Sequence, residues 1–425
     1  MKNPSNQQRN SLSQININSN NPFLPFKESL SINFTNQNEK EELDNIIRLI
    51  KLETNNNVTN FDILIKNFLR KNQKIKNDVI EKILDFLSKN NIHYKSIIKC
   101  INAILELIID NFQIINILNN VIPLLFNNLF QEDNLKNLDA IHDICTFIGK
   151  LIKIGNTHIF GLVEEIIDSI FLNVFKNNSS ESNLLYAYIN LLSQIMQNSV
   201  TISFNNIIVK NNLGNFITLM EQYCSDKNEK IREISAELTE NFINMLKNRD
   251  NQTKKKYIVF LYETLFNQFS SSNVRINNVN INNYYIVNGF LRNIKKIYEL
   301  YPFLFNDDSL FVKLADNLMK LKNYGKNEQN IKLEFINFIP ILYKMNSKMF
   351  KKRYIKEYLK FSNESLNREK DVKIKYTLLV VLGKLNYYEQ ESINKYCSVI
   401  LLPLLSRLLN GKDFLNEQVL KGLSD

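Results

Sequence analysis

Tryptophan is absent from this chain of 425 residues, and glycine and proline are rare, with 9 and 7 copies. Ordinary usage would be about 7% and 5%. All-β folds draw on both residues for their many turns, so this scarcity argues against them. Histidine is reduced to His93, His142 and His158, which leaves imidazole chemistry few candidates. Four cysteines, Cys100, Cys145, Cys224 and Cys397, stand far apart with no CxxC pair. Each lies in an apolar helical stretch, the pattern of buried thiols in a reducing compartment. No hydrophobic run is long enough to cross a bilayer: the densest late one, "CSVILLPLLSRLL" (Cys397–Leu409), is short and broken by Arg407. The start, "MKNPSNQQRNSLSQININSNNP", lacks the apolar core of a signal peptide. A soluble, helical chain is expected.

What is present suits that expectation. A hydrophobic fraction of 44% against 23% charged residues is enough for an ordered core. The length exceeds one compact core, leaving two or three domains or one elongated repeat array. Heavy use of Asn, Ile, Lys, Phe and Tyr looks like the coding bias of an AT-rich genome. The net charge of +10 therefore points to solvated lysines rather than to a polyanion partner, unless the cations cluster. Residues 1–38 are Asn- and Ser-rich with little periodicity and read as a disordered tail.

From Glu41 onward the pattern is helix after helix. In "SDKNEKIREISAELTENFINML" (Ser225–Leu246) the apolar residues Ile231, Ile234, Leu238, Phe242 and Met245 recur at spacings of three and four, one face of a helix. "GNFITLMEQYC" (Gly214–Cys224) precedes it with an amphipathic pattern of its own, so the two form a helical hairpin. Equivalent second helices are expected to begin near Tyr94, Leu135, Glu181, Glu229, Asn283, Asn327 and Lys370. These starts lie roughly 41 to 54 residues apart, near the two-helix HEAT repeat. The array spans 39–425 with about 8–9 hairpins on this period. "SSSNVRINNVNINN" (Ser270–Asn283) reads as an inserted loop, and "INKYCSVILLPLLSRLLN" (Ile393–Asn410) starts another hairpin. The fold class expected is all-α: an α-solenoid of HEAT- or armadillo-like hairpins in a right-handed superhelix.

Polar residues repeat in register as well. Ile231-Arg232, Ile331-Lys332 and Ile374-Lys375 place an apolar-basic pair early in a second helix, and "FIGKL" (Phe147–Leu151) and "VLGKL" (Val381–Leu385) echo late in theirs. Asp226 precedes Arg232 by six residues, and Glu369 precedes Lys375 by six. The turn acid can accept the open N–H groups of the helix start. The basic residue can reach the acid of an adjacent repeat, so Asp226, Arg232, Glu369 and Lys375 are the expected rungs of a HEAT ladder. The bland alternative is an incidental surface pair of little energetic weight.

No phosphate-binding GxxxxGK[ST] loop, GxGxxG turn, GxSxG elbow or HExxH helix occurs, nor a His-Arg-Asp or Asp-Phe-Gly kinase element. No catalytic, cofactor-binding or metal-binding residue is therefore assigned, and no cofactor is expected. His142, Asp143 and Cys145 sit close in "AIHDICTF" (Ala140–Phe147), but adjacent helical positions diverge and cannot close around one ion. "TKKKY" (Thr253–Tyr257) and "MFKKRYIKEYLK" (Met349–Lys360) combine lysines with tyrosines, a pairing that can hold single-stranded RNA. On an amphipathic helix the same residues divide into a core face, with Phe350, Ile355 and Leu359, and solvated lysines. That second reading is preferred, and nucleic acid is not an expected partner.

With these repeats in place, the chain resembles the N-terminal HEAT solenoid of the target of rapamycin (TOR) serine/threonine kinase family. The similarity is spread from roughly Asp78 to Phe414. It includes the turn and Ile-Arg pair of Ser225–Leu246 and the helix Tyr257–Phe269. Next comes "QNIKLEFINFIPILYKMNSKMF" (Gln329–Phe350), with Pro340 and Phe350, and then "NREKDVKIKYTLLVVLGKL" (Asn367–Leu385). It closes on "LLPLLSRLLNGKDF" (Leu401–Phe414). The family continues into a C-terminal kinase domain that these residues do not contain. A fragment, a truncated product or a free-standing paralogue is thus expected. The resemblance implies a non-catalytic scaffold in nutrient and growth signalling. Its implied partners are a Raptor-like adaptor, a second TOR protomer and other subunits of the kinase complex. It implies a cytoplasmic location, with peripheral endomembrane or lysosome-surface association through the complex. Rival readings are a karyopherin-like transport carrier and an RNA-binding solenoid.

Overall fold

A computed structural model describes residues 37–53, 60–108, 110–176, 182–199, 202–246, 249–273, 282–323 and 329–388. Most of the expected tail, most of the expected loop insertion, the hairpin expected from Ile393 and Cys397 lie outside the described residues. All regular structure among the described residues is helical. The chain divides into two compact units, Met1–Leu213 and Gly214–Asp425.

The first unit runs through α1 (Gln37–Leu52), α2 (Phe61–Lys71), α3 (Lys76–Lys89), α4 (Tyr94–Leu105), α5 (Asn111–Leu129), the single turn α6 (Glu132–Leu135), α7 (Leu138–Gly155), α8 (Phe160–Lys176) and α9 (Ser182–Asn198). Helix α10 (Ile202–Tyr223) carries the boundary. The second unit continues with α11 (Glu229–Met245), α12 (Asn251–Asn273), α13 (Asn282–Leu300), α14 (Asp308–Lys320), α15 (Gln329–Met345), α16 (Ser347–Arg353), α17 (Ile355–Arg368) and α18 (Val372–Tyr388).

Local caps set the helix starts. Asn228 caps α11 by accepting the Lys230 N–H at 3.0 Å, and Glu229 places a carboxylate in the first turn. Asp307 caps α14 by accepting the Ser309 N–H at 2.9 Å. The second helices begin at Tyr94, Leu138, Ser182, Glu229, Asn282, Gln329 and Val372, within three residues of expectation. The largest difference, Leu138 for Leu135, has a local cause. Asn137 accepts the Asp139 N–H at 3.0 Å and starts α7 there, cutting off α6 as a separate turn.

Burial follows the apolar stripes. Ile231, Ile234, Leu238, Phe242 and Met245 of α11 are all buried. Within the first unit, α4, α7 and α9 pack in sequence as one layer, with α5 against α7 and α8 against α9. Within the second, α11, α13, α15 and α18 form the corresponding layer, with α12 against α13 and α17 against α18. A lone hairpin cannot bury both faces, so each is completed by its neighbours. Gly289 sets one of these approaches: a Cβ there would fall 1.5 Å from the Cys224 carbonyl oxygen, so α13 closes on the end of α10 only as glycine.

Candidate functional site

The second unit carries a polar seam along α11, α13, α15 and the turn before α18. Arg232 projects from the apolar side of α11 and is only 2% exposed. Its Nη1 donates to the carbonyl oxygens of Asp226, at 2.7 Å, and Lys227, at 3.1 Å. Its Nε donates to Asn288 Oδ1 on α13 at 3.0 Å. The Tyr285 ring lies against the guanidinium, 4.9 Å from its central carbon. Asn288 passes the connection onward, its Nδ2 donating to Glu334 Oε1 on α15 at 2.9 Å. One buried cation on α11 is thus linked to α13 directly and to α15 through Asn288.

Two further sets of contacts run alongside. Arg292 of α13 spans Glu229 at 2.8 Å and Glu233 at 3.0 Å on α11, and Lys296 pairs with Glu240 one turn further on. Buried Thr239 donates to Asn293, whose own amide donates to the Gly289 carbonyl at 2.9 Å. From α15, Lys332 reaches Glu369 at 3.1 Å, with both side chains largely sheltered. Burial acts to raise the Glu369 carboxyl. Its bonds with Lys332 and with the Lys370 and Asp371 N–H groups outweigh that and hold it below the usual carboxylate range.

The residues expected as ladder rungs have the following partners. Arg232 meets the backbone carbonyl of Asp226 rather than a carboxylate, while the Asp226 carboxylate accepts the Asn228 N–H at 2.7 Å. Glu369 pairs with Lys332 of the preceding hairpin, while Lys375 makes no ion pair with another described residue. Asn288, Glu334 and Lys332 complete the seam. Of these only Lys332 carried a signal in sequence, as the basic half of the Ile331-Lys332 pair.

The other sequence candidates have ordinary surroundings. Asp143 accepts from the Tyr94 hydroxyl at 3.4 Å, and the Cys145 thiol faces the Ala187 carbonyl. Among the described residues no group of His, Cys, Asp and Glu is arranged to hold a metal ion. Cys100, Cys145 and Cys224 are buried free thiols, and burial pushes each thiol upward, Cys224 to about 12. In the Met349–Lys360 segment, Phe350, Tyr354, Tyr358 and Leu359 are buried, while Ile355 is half-buried. The Tyr354 hydroxyl donates to Asp316 at 2.7 Å, so neither tyrosine offers a free face for a base. Among the described residues, no helix is long and apolar enough to cross a membrane.

The fold and seam define an all-α protein of stacked helical hairpins. No protein-family model matches the chain, and no curated protein does. Among solved structures it is similar to "Crystal complex of SYS-1/POP-1 at 2.5A resolution", at 13% identity and a TM-score of 0.33, covering 86% of this chain and 69% of that one. At that TM-score the likeness adds nothing to the fold assignment, which rests on the helices themselves.

Proposed function

We propose that the chain is a non-catalytic helical-repeat scaffold that holds other proteins in place. The observation behind this reading is the continuous layer α11–α13–α15–α18, whose hairpins are tied together by buried and half-buried polar bonds. Such a layer turns the remaining helical ridges and turns outward as an extended surface for partners.

The particular role is the scaffold arm of a TOR-type kinase, docking a Raptor-like adaptor in nutrient and growth signalling. This part rests on the sequence resemblance: the Ser225–Leu246 hairpin, Pro340 with Phe350, and the order of matching segments. Pro340 and Phe350 are both buried, and Phe350 packs edge-on against Tyr343 with ring centroids 5.8 Å apart. The test is affinity purification of the tagged chain from its own cells. A Raptor-like adaptor among the bound proteins supports the role. A Ran-type GTPase in its place would favour a transport carrier.

A further inference from the structure

The start of α12 and the end of α13 frame a cleft of about 570 Å³, lined by Asn251, Gln252, Lys254, Lys255, Leu300, Tyr301 and Phe303. Phe303 is 71% exposed, the most exposed large apolar side chain among the described residues. Tyr301 meets it edge-on at 6.3 Å, which fixes an aromatic corner beside the lysines.

The cations here lack carboxylate partners. Lys254, Lys255 and Lys256 make no ion pair with another described residue. Asp250 and Asp307, close to these residues in the chain, both serve helix starts. Asp250 accepts the Thr253 N–H at 2.8 Å, and Asp307 accepts the Ser309 N–H and hydroxyl. Asp307 is close enough to Lys255 to interact through space, without a contact. The lining itself contains lysines and no carboxylate. A solvated lysine needs no partner, but an exposed phenylalanine in a concave site beside unpaired lysines is a combination that an acidic, apolar ligand would satisfy.

We propose that this cleft docks an acidic segment of a partner protein, with one aromatic or aliphatic side chain set against Phe303 and Tyr301 and carboxylates facing Lys254 and Lys255. The proposal rests on the scaffold reading above and gives one contact its chemistry. A protein segment is favoured over nucleic acid because the basic patch is one local cleft with a single fully presented ring. Single-stranded nucleic acid needs a cationic track with successive stacking faces.

The test uses the full chain and a fluorescein-labelled peptide of alternating glutamate and leucine with a central phenylalanine, read by fluorescence anisotropy. Lys254→Glu with Lys255→Glu, and separately Phe303→Ala, should each weaken binding by about tenfold or more. Lys352→Glu with Lys356→Glu changes the net charge equally at exposed sites elsewhere and should leave binding unchanged. Oligouridine should not displace the peptide. Absence of binding by the unaltered chain, equal loss in the control variant, or displacement by oligouridine would each overturn the proposal. The scaffold reading fails separately, on the purification described above, so adaptor capture without peptide binding removes only this inference. The altered residues are exposed or half-buried, and circular dichroism melts would verify that the variants remain folded.

Discussion

Arg232 shows what one residue contributes. A guanidinium this deep is tolerable because three acceptors and an aromatic face replace its water. Arg232→Met would leave two turn carbonyls and Asn288 Oδ1 without their donor, at a cost of about 3 kcal/mol. Arg232→Lys keeps the charge but cannot span the same acceptors with a fork, so an intermediate loss is expected; urea unfolding measures both. The thiols offer a second residue-scale test. With burial raising Cys100, Cys145 and Cys224, iodoacetamide at neutral pH should leave all three unmodified until denaturant is added. Peptide mapping by mass spectrometry would read each one, and rapid native labelling of Cys145 would contradict its placement. The partner of Arg232 was not legible in the sequence. Asn288 lies 56 residues away, and one asparagine among many carries no mark of burial.

At the scale of helices and hairpins, much more could be read. Cap residues and the three-and-four spacing of apolar residues are local, and they located the second helices to within a turn. The pairing between hairpins was less accessible. Spacing marked Lys332, Glu369 and Lys375 without fixing which of them meet across hairpins, and it is Lys332 of the preceding hairpin that pairs with Glu369. Gly289 carried no sequence signal either, because the obstacle is a backbone carbonyl from another segment. Gly289→Ala should cost about 3 kcal/mol or more, the upper range for overpacking, since backbone cannot yield as a side-chain tip can. The Lys332–Glu369 link predicts a pH dependence. The Glu369 carboxyl is depressed in the folded state, so its contribution is present above the unfolded pKa, about 4.3, and is lost as pH falls through the folded value. The denaturation midpoint of the unaltered chain should therefore drop more steeply below about pH 4 than that of Glu369→Gln. Identical slopes would remove the link.

At the scale of the whole molecule, stability within each unit is a sum over neighbouring hairpins rather than the property of one central core. Hydrogen exchange followed by mass spectrometry on the Gly289→Ala variant tests this most directly. Protection should fall most in α11 and α13, less in α15 and least in α18, fading along the layer in the order in which the helices touch. An equal loss of protection across all four helices would contradict the account, because it would mean a single cooperative core in place of a stack.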